Sequence, residues 1–209
     1  MFKYILYAIL AAAVIGAGAG LWHLYRVSAK NKKEMAPYAG NKTPYTANPG
    51  KTLVIYYSWT GNTQDIARRI QRQTGADMYE IKTEEEFKKS PAFYARIKQQ
   101  LKTGQYPALQ LHPLDLTPYD TVFVGSPVWW YTAATPVLAF LRQTDFQGKR
   151  VVPFSTQGSN YGTFFEDFEK QAQNARILPG ASFNNVDASY NAAVDNKIIT
   201  WLNGLPPAR

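Results

Sequence analysis

The sequence predicts an α/β fold built on a doubly wound, five-stranded parallel sheet. From Thr52 onward, short apolar runs alternate with amphipathic segments of helical period. The runs are apolar on both faces, as strands of a parallel sheet covered by helices are. Three of the predicted strands are followed by loops of unusual composition, which is typical of α/β domains that bind a ligand beyond their strand ends.

The composition excludes several classes of site. The chain of 209 residues has no cysteine, which excludes disulfides, thiolate catalysis and cysteine-ligated metals. Two histidines, His23 and His112, are too few for a histidine-rich metal site, so we expect no metal. Residues 1–47 carry +5 of the formal charge of +8, and the remainder has no basic stripe with interleaved aromatics. We therefore expect no nucleic-acid binding, and any redox chemistry would need a bound cofactor.

The N-terminal segment, residues 1–25, predicts a membrane anchor. It is nearly continuously apolar from Phe2 to Leu24, with Lys3 as its one charge. About 20 such residues cross a bilayer as a helix, and aromatic residues lie near both ends, as at membrane interfaces. A cleaved signal peptide, with Ala17-Gly18-Ala19 as the cleavage site, is the alternative. The aromatic residues are Tyr4, Tyr7, Trp22 and Tyr25.

Four basic residues follow this segment: Arg26, Lys30, Lys32 and Lys33. The positive-inside rule then favours a single-pass protein of a bacterial inner membrane with its domain in the cytoplasm. Export to the periplasm by a signal peptide is the alternative. Residues 26–51 are polar and contain several prolines and glycines, so we expect a flexible tether there.

Residues 52–205 predict one domain. Its five strands are expected at Leu53–Tyr57, Asp77–Ile81, Asp120–Gly125, Arg150–Ser155 and Arg176–Phe183. Its helices are expected over residues 63–74, 92–102, 135–143, 163–174 and 188–202. The parallel arrangement brings the loops after the first, third and fourth strands to one edge of the sheet.

The loop after the first strand, Ser58-Trp59-Thr60-Gly61-Asn62-Thr63, is named the first loop. It offers three hydroxyls, one glycine that allows close approach, and the N–H groups of the next helix, a combination suited to phosphate. No lysine follows the glycine, which excludes a nucleoside-triphosphate loop. The single glycine also excludes the dinucleotide fingerprint. A helix capped by Thr60 or Asn62 is the alternative.

Two later loops suit a flat ring. The second loop, Ser126-Pro127-Val128-Trp129-Trp130-Tyr131, offers three consecutive aromatics that could clamp a ring. The third loop, Thr156-Gln157-Gly158-Ser159-Asn160-Tyr161-Gly162, could direct backbone N–H groups at the ring's polar edge. Taken alone, the aromatic run could instead cap the core or contact a partner protein.

These three loops resemble the flavodoxin family. The first loop is similar to the flavodoxin phosphate loop, and the second to the Pro-aliphatic-Trp-Trp ring loop of a bacterial subgroup. The resemblance covers about residues 51–205 and implies strand order 2-1-3-4-5 and FMN as cofactor. In one respect the chain departs from electron-carrier flavodoxins, which are acidic, because its domain is mildly basic.

The resemblance implies that the first loop binds the FMN phosphate through Ser58, Thr60 and Thr63 and the amides of residues 59–63. It implies that Trp129 or Trp130 stacks on the flavin, and that backbone groups of residues 125–128 or 156–162 meet its polar edge. The cofactor-binding residues are thus Ser58, Trp59, Thr60, Gly61, Asn62, Thr63, Ser126, Pro127, Val128, Trp129, Trp130, Tyr131, Thr156, Gly158, Ser159, Asn160, Tyr161 and Gly162.

The implied function is electron transfer by a membrane-tethered, FMN-binding protein. Its partners would be a redox protein, a nicotinamide or a quinone. No catalytic side chain is expected, because the flavin would carry the chemistry. An NAD(P)H-dependent quinone or flavin-type reductase is the first alternative. An FMN-free scaffold that uses Trp129-Trp130-Tyr131 for protein contact is the second.

Overall fold

The computed structural model describes the backbone of residues 2–110 and 112–208, and their side chains except those at 2, 6, 8 and 11. Met1, where the predicted anchor begins, lies outside the described residues. The helices are α1 (Phe2–Met35), α2 (Asn62–Thr74), α3 (Pro91–Thr103), α4 (Thr135–Gln143), α5 (Phe164–Gln171) and α6 (Asn191–Asn203). The strands are β1 (Thr52–Tyr56), β2 (Asp77–Glu80), β3 (Lys82–Thr83), β4 (Leu109–Gln110), β5 (Thr121–Trp129), β6 (Thr132–Ala133), β7 (Arg150–Gln157), β8 (Arg176–Ile177) and β9 (Ala181–Asn184).

The main sheet is parallel and runs in the order β2-β1-β5-β7, with both β8 and β9 on the far side of β7. The predicted parallel sheet in the order 2-1-3-4-5 is therefore confirmed. The fifth predicted strand is divided into β8 and β9 at Pro179 and Gly180. Proline cannot donate to a strand ladder, and a Cβ on Gly180 would lie 2.5 Å from the Pro153 carbonyl oxygen. The chain therefore leaves and re-enters the sheet at this edge.

Alternate residues of the central strands pack on opposite faces of the sheet. Ile55 and Val124 lie in the apolar layer beneath α3, α4 and α5. Val54 and Phe123 lie in the layer beneath α2 and α6. Because both faces are covered, the central strands are apolar throughout, and the polar positions fall where the strands end.

Strand β5 continues beyond the predicted end at Gly125 and reaches Trp129. It then reverses into β6, with which Val128 and Trp129 pair in antiparallel register. The reversal uses Trp130 and Tyr131, whose φ angles are 50° and 67°. Part of the second loop is therefore a strand, and its tip is a strained turn, since bulky residues seldom adopt positive φ.

The predicted flexible tether is largely ordered against the domain. Its first ten residues belong to α1, and Met35 is buried in the apolar layer that α2 and α6 cover. The extended residues that follow are held by two asparagines of α6. Asn196 Oδ1 accepts a hydrogen bond from Thr43 N at 3.0 Å, and Asn203 Oδ1 accepts one from Thr46 N at 2.8 Å. Residues 39–51 therefore form a strap along α6.

The predicted transmembrane anchor over residues 1–25 is not supported. Among the residues that the structure describes, no helix combines the length and the apolar character that crossing a membrane requires.

Candidate functional site

The three loops meet at the carboxyl edge of the parallel sheet, as predicted. A cavity of about 380 Å³ lies there between the second and third loops and α3. This volume is within the range of about 300–1,000 Å³ that is usual for small-molecule sites. The lining residues are Trp59, Phe93, Tyr94, Ile97, Val128, Trp129, Trp130, Tyr131, Gln157, Gly158, Ser159 and Asn160.

The first loop turns sharply into α2. Gly61 has φ of +90°, a conformation that glycine adopts without the steric cost other residues bear. Ser58 Oγ accepts a hydrogen bond from Gln64 N at 3.2 Å, so this hydroxyl caps the helix. The predicted cap residues take a different part: Asn62 Nδ2 donates to Thr60 Oγ1 at 3.0 Å. Thr60 remains exposed at the surface of the loop.

The backbone amides of the first loop are available to a ligand. Within the described part of the chain, the backbone amides of residues 59–63 donate no hydrogen bond to another protein group. Amides in the first turn of a helix have no partner inside the helix, and the helix dipole adds partial positive charge there. The nearest acid on α2, Asp65, is paired with Arg69 at 2.7 Å. The donor set therefore fits an anion such as phosphate.

Thr63 lies differently from the other hydroxyl residues of the first loop. It is 1% exposed, and its Oγ1 lies 2.8 Å from Thr156 Oγ1. The bond joins the first loop to the start of the third loop across the sheet edge. The hydroxyls of Thr63 and Thr156 thus hold two loops together.

The aromatic residues of the cavity form a packed group. The Trp59 and Phe93 rings are stacked, with centroids 4.2 Å apart. Trp129 meets both edge-on and is 8% exposed, because it is packed into the core. Trp130 and Tyr131 at the tip are 47% and 58% exposed. The two tip residues are thus the aromatics of the second loop that are open to solvent.

Two predicted site residues of the second loop, Ser126 and Pro127, form hydrogen bonds within the hairpin. Ser126 is fully buried; its Oγ accepts a hydrogen bond from Ala134 N at 2.9 Å and donates to the Pro127 carbonyl at 2.8 Å. Pro127 and Ser126 do not line the cavity. These two residues therefore help to form the β5–β6 hairpin, which carries Val128 to Tyr131.

The third loop contacts both the cavity and the second loop. Gly158, Ser159 and Asn160 line the cavity, whereas Tyr161 packs edge-on against Phe165. Gly162 has φ of +55°, and a Cβ there would lie 2.4 Å from the Tyr131 carbonyl oxygen. This close approach holds the tips of the two loops side by side.

Four lining residues were missed by the sequence prediction: Phe93, Tyr94 and Ile97 of α3, and Gln157 at the end of β7. The helix over residues 92–102 was predicted, but nothing in its pattern places it over the sheet edge. The pair Phe93-Tyr94 directly after Pro91 was the one available signal. Gln157 is 5% exposed, and its side-chain amide is hydrogen-bonded to Ser155 and Asn184, as buried polar groups usually are.

The charged groups near the site are few. Lys98 Nζ lies 5.7 Å from the Trp130 ring centroid, and Lys89 Nζ lies 6.0 Å from that of Trp59. Burial, aided by the charge of Glu86, raises the pKa of the Tyr57 hydroxyl, which keeps this group neutral beside the first loop. No cluster of potential metal ligands occurs among the described residues.

Comparison with known proteins agrees with this geometry. Residues 51–203 match a model of the flavodoxin family, described as Flavodoxin. Flavodoxin 1 of Escherichia coli (strain K12) is 27% identical over 121 residues, which are 56% of this chain and 55% of that protein. The chain thus spans about half the length of the curated relatives it matches.

Two solved structures are similar in fold and sequence. A flavoprotein of Lactobacillus acidophilus NCFM in complex with FMN is 28% identical, with a TM-score of 0.59 over 63% of this chain and 92% of that one. A protein of Bacteroides eggerthii DSM 20697 is 27% identical, with a TM-score of 0.62 over 73% and 96%. Because the family match covers most of the chain, this protein belongs to the flavodoxin family.

Proposed function

We propose that this protein binds FMN at the three loops and acts in electron transfer. The observation that carries the proposal is the pairing of two unlike ends in one site. Free backbone amides at the N-terminus of α2 lie at one end, and an aromatic-walled cavity lies at the other. A molecule that joins a phosphate to a flat ring system matches both ends. The family and the FMN complex of the similar flavoprotein support this cofactor.

At the phosphate end, the ligands are the amides of residues 59–63 and the Thr60 hydroxyl. No cationic side chain is needed, because the amides and the helix terminus supply partial positive charge. Ser58 and Thr63 act mainly through structure, since their hydroxyls already bond Gln64 N and Thr156. The Thr63 hydroxyl keeps spare capacity to accept or donate one further bond.

At the ring end, the exposed Trp130 and Tyr131 cover the cofactor. Trp59 and Trp129 form the inner wall, held by Phe93. The backbone of Gly158, Ser159 and Asn160 supplies polar contacts at the opposite side. These residues orient the ring and exclude water from it.

Bound FMN supplies the redox chemistry. The residues around it bind and orient it, and we assign no side chain a proton-transfer step. A redox protein, a nicotinamide or a quinone is the proposed partner, and it would approach past the exposed Trp130 and Tyr131. An electron carrier is the function we favour, and an NAD(P)H-dependent quinone or flavin-type reductase is the alternative; steady NAD(P)H consumption in the presence of a quinone would support the reductase.

For location, we propose that α1 associates with a bacterial inner membrane and holds the domain on the cytoplasmic side, with export as the alternative. Large apolar side chains of α1 are exposed, including Val14 at 65% and Leu21 at 70%. Exposed apolar patches of this kind mark membrane or partner contacts. Recovery of the whole native chain in the soluble fraction after cell lysis would contradict this location.

The test of the cofactor uses the full chain. The purified protein should show flavin absorbance, or acquire it when FMN is added to the apoprotein. Thr60→Ala should weaken FMN binding about tenfold or more, because it removes a hydrogen bond to a charged group. The same change should leave riboflavin affinity unchanged, since riboflavin lacks the phosphate. A chain that cannot be reconstituted with FMN would favour the scaffold; equal losses for both flavins would refute the phosphate assignment.

A further inference from the structure

A chain of hydrogen bonds connects α1 to the third loop. Gln157 Nε2 donates to Asn184 Oδ1 at 3.1 Å. Asn184 Nδ2 donates in turn to Asn31 Oδ1 at 3.0 Å and to Glu34 Oε2 at 2.6 Å. Gln157 lines the cavity, whereas Asn31 and Glu34 belong to the last turns of α1. The N-terminal helix is thus two hydrogen bonds away from the wall of the site.

The members of this chain are buried. Gln157, Asn184 and Asn31 are 5%, 7% and 9% exposed. Gln157 Oε1 also accepts a hydrogen bond from Ser155 Oγ at 3.0 Å, so both ends of the Gln157 amide are fixed. A buried polar network that is fully bonded is rigid, and removal of one member leaves another without its partner.

A second contact joins the same two parts of the molecule. Lys30 Nζ donates a hydrogen bond to the Ser159 carbonyl. Lys30 also pairs with Glu34 at 3.5 Å, one helical turn away. Ser159 lies in the third loop and lines the cavity. Two successive residues of α1 therefore contact the third loop. Lys30 bonds the backbone carbonyl of Ser159 directly, and Asn31 is linked to the side chain of Gln157 through Asn184.

We propose that the last turns of α1 are part of the cofactor site, with Asn31, Lys30 and Asn184 as positioning residues for the third loop. The inference rests on the proposed function, because the loop matters as the polar side of the flavin ring. The last turns of α1 then determine how well the third loop is ordered before the cofactor binds. Loosening it costs binding at the ring end and leaves the phosphate end intact.

The experiment compares three variants of the full chain. Asn31→Ala removes one acceptor of Asn184, and Lys30→Met removes the bond to Ser159 while keeping the apolar stem. Asn203→Ala is the matched control. It also removes an asparagine that ties the N-terminal segment to the domain, but its partners are Pro44, Thr46 and Ala47, in the strap.

Amide hydrogen exchange of residues 157–160 is measured in the apoprotein, and affinities for FMN and riboflavin are measured by titration. Asn31→Ala should speed exchange in the loop and weaken both flavins about tenfold, the effect of about one hydrogen bond. Lys30→Met should do the same to a smaller extent. Asn203→Ala should lower the melting temperature without changing either affinity.

Unchanged loop exchange and unchanged affinities in both α1 variants would overturn the inference. Equal effects of Asn203→Ala would also overturn it, because they would show general destabilisation. If the native chain binds no flavin, the proposed function fails instead, and the exchange of residues 157–160 alone decides whether α1 orders the third loop.

Discussion

The two ends of the proposed site are built in opposite ways. The phosphate end is made by six consecutive residues, 58–63, whose backbone turns into α2. The ring end is made by residues from four separate segments, with Trp59, Phe93, Trp130 and Ser159 as examples. The first depends on local backbone geometry, and the second depends on how α3 and two loops pack. The difference indicates that the ring end should be far more sensitive to changes in the core.

The largest expected effect comes from Phe93, which stacks on Trp59 and lines the ring end of the site. Phe93→Ala removes the ring stacked on Trp59 and opens a void, at a cost of about 3–5 kcal/mol in the free energy of unfolding. Flavin affinity should fall with it, because the inner wall loses its support. Urea unfolding of the apoprotein and flavin titration measure the two effects.

The control for this change is Phe168→Ala. Phe168 is fully buried in the same apolar layer but contacts Phe164 and not the cavity. It should cost similar stability and leave flavin affinity unchanged. If Phe168→Ala weakens flavin binding as much as Phe93→Ala does, the ring end depends on global stability rather than on α3.

The same difference in construction explains what the sequence could reveal. The first loop was predictable because its hydroxyls, its glycine and the following helix are neighbours along the chain. The parallel strand order followed from the family resemblance and was confirmed. The part played by Phe93 could not be predicted, since no local pattern records which helix covers the sheet edge.

Ser126 illustrates a different limit of the sequence at the second loop. It matches the family pattern, but its side chain bonds the hairpin backbone rather than facing the cavity. The sequence gives the order of the residues in the second loop. Which of their side chains face the cavity depends on β5, which continues to Trp129. The docked strap was missed for a similar reason, because its bonds to Asn196 and Asn203 join segments about 150 residues apart.

A smaller effect is expected at Gly162, where the two ring-end loops touch. Gly162→Ala forces an L-residue to φ of +55° and places a Cβ against the Tyr131 backbone. Positive φ and overpacking together should cost about 2–4 kcal/mol of stability. FMN and riboflavin should both bind more weakly, because the displaced Tyr131 covers the ring rather than the phosphate.

Gly75→Ala is the control that separates the cost of positive φ from the cost of overpacking. It has φ of +69° at the end of α2, and a Cβ there would meet nothing within 4 Å. Gly75→Ala should therefore cost only the backbone term, about 1–2 kcal/mol, with no change in flavin affinity. Melting temperatures and titrations of the two variants give the comparison; equal results would exclude a specific contact between the second and third loops.

The smallest expected effect tests whether the first and third loops stabilise each other. The Thr63–Thr156 hydroxyl pair joins the first and third loops, so each single change to valine leaves a buried hydroxyl without its partner, at about 1–2 kcal/mol. The double variant should cost less than the sum of the two single changes, with a coupling of about 1 kcal/mol measured by urea unfolding.

Thr52→Val is the control, since the Thr52 hydroxyl is buried without a partner among the described residues, and its loss should be neutral or stabilising. A coupling of this size would show that the two hydroxyls stabilise the folded chain as a pair and so hold the first and third loops together. Additive costs would show that the hydroxyl pair does not couple the two loops energetically.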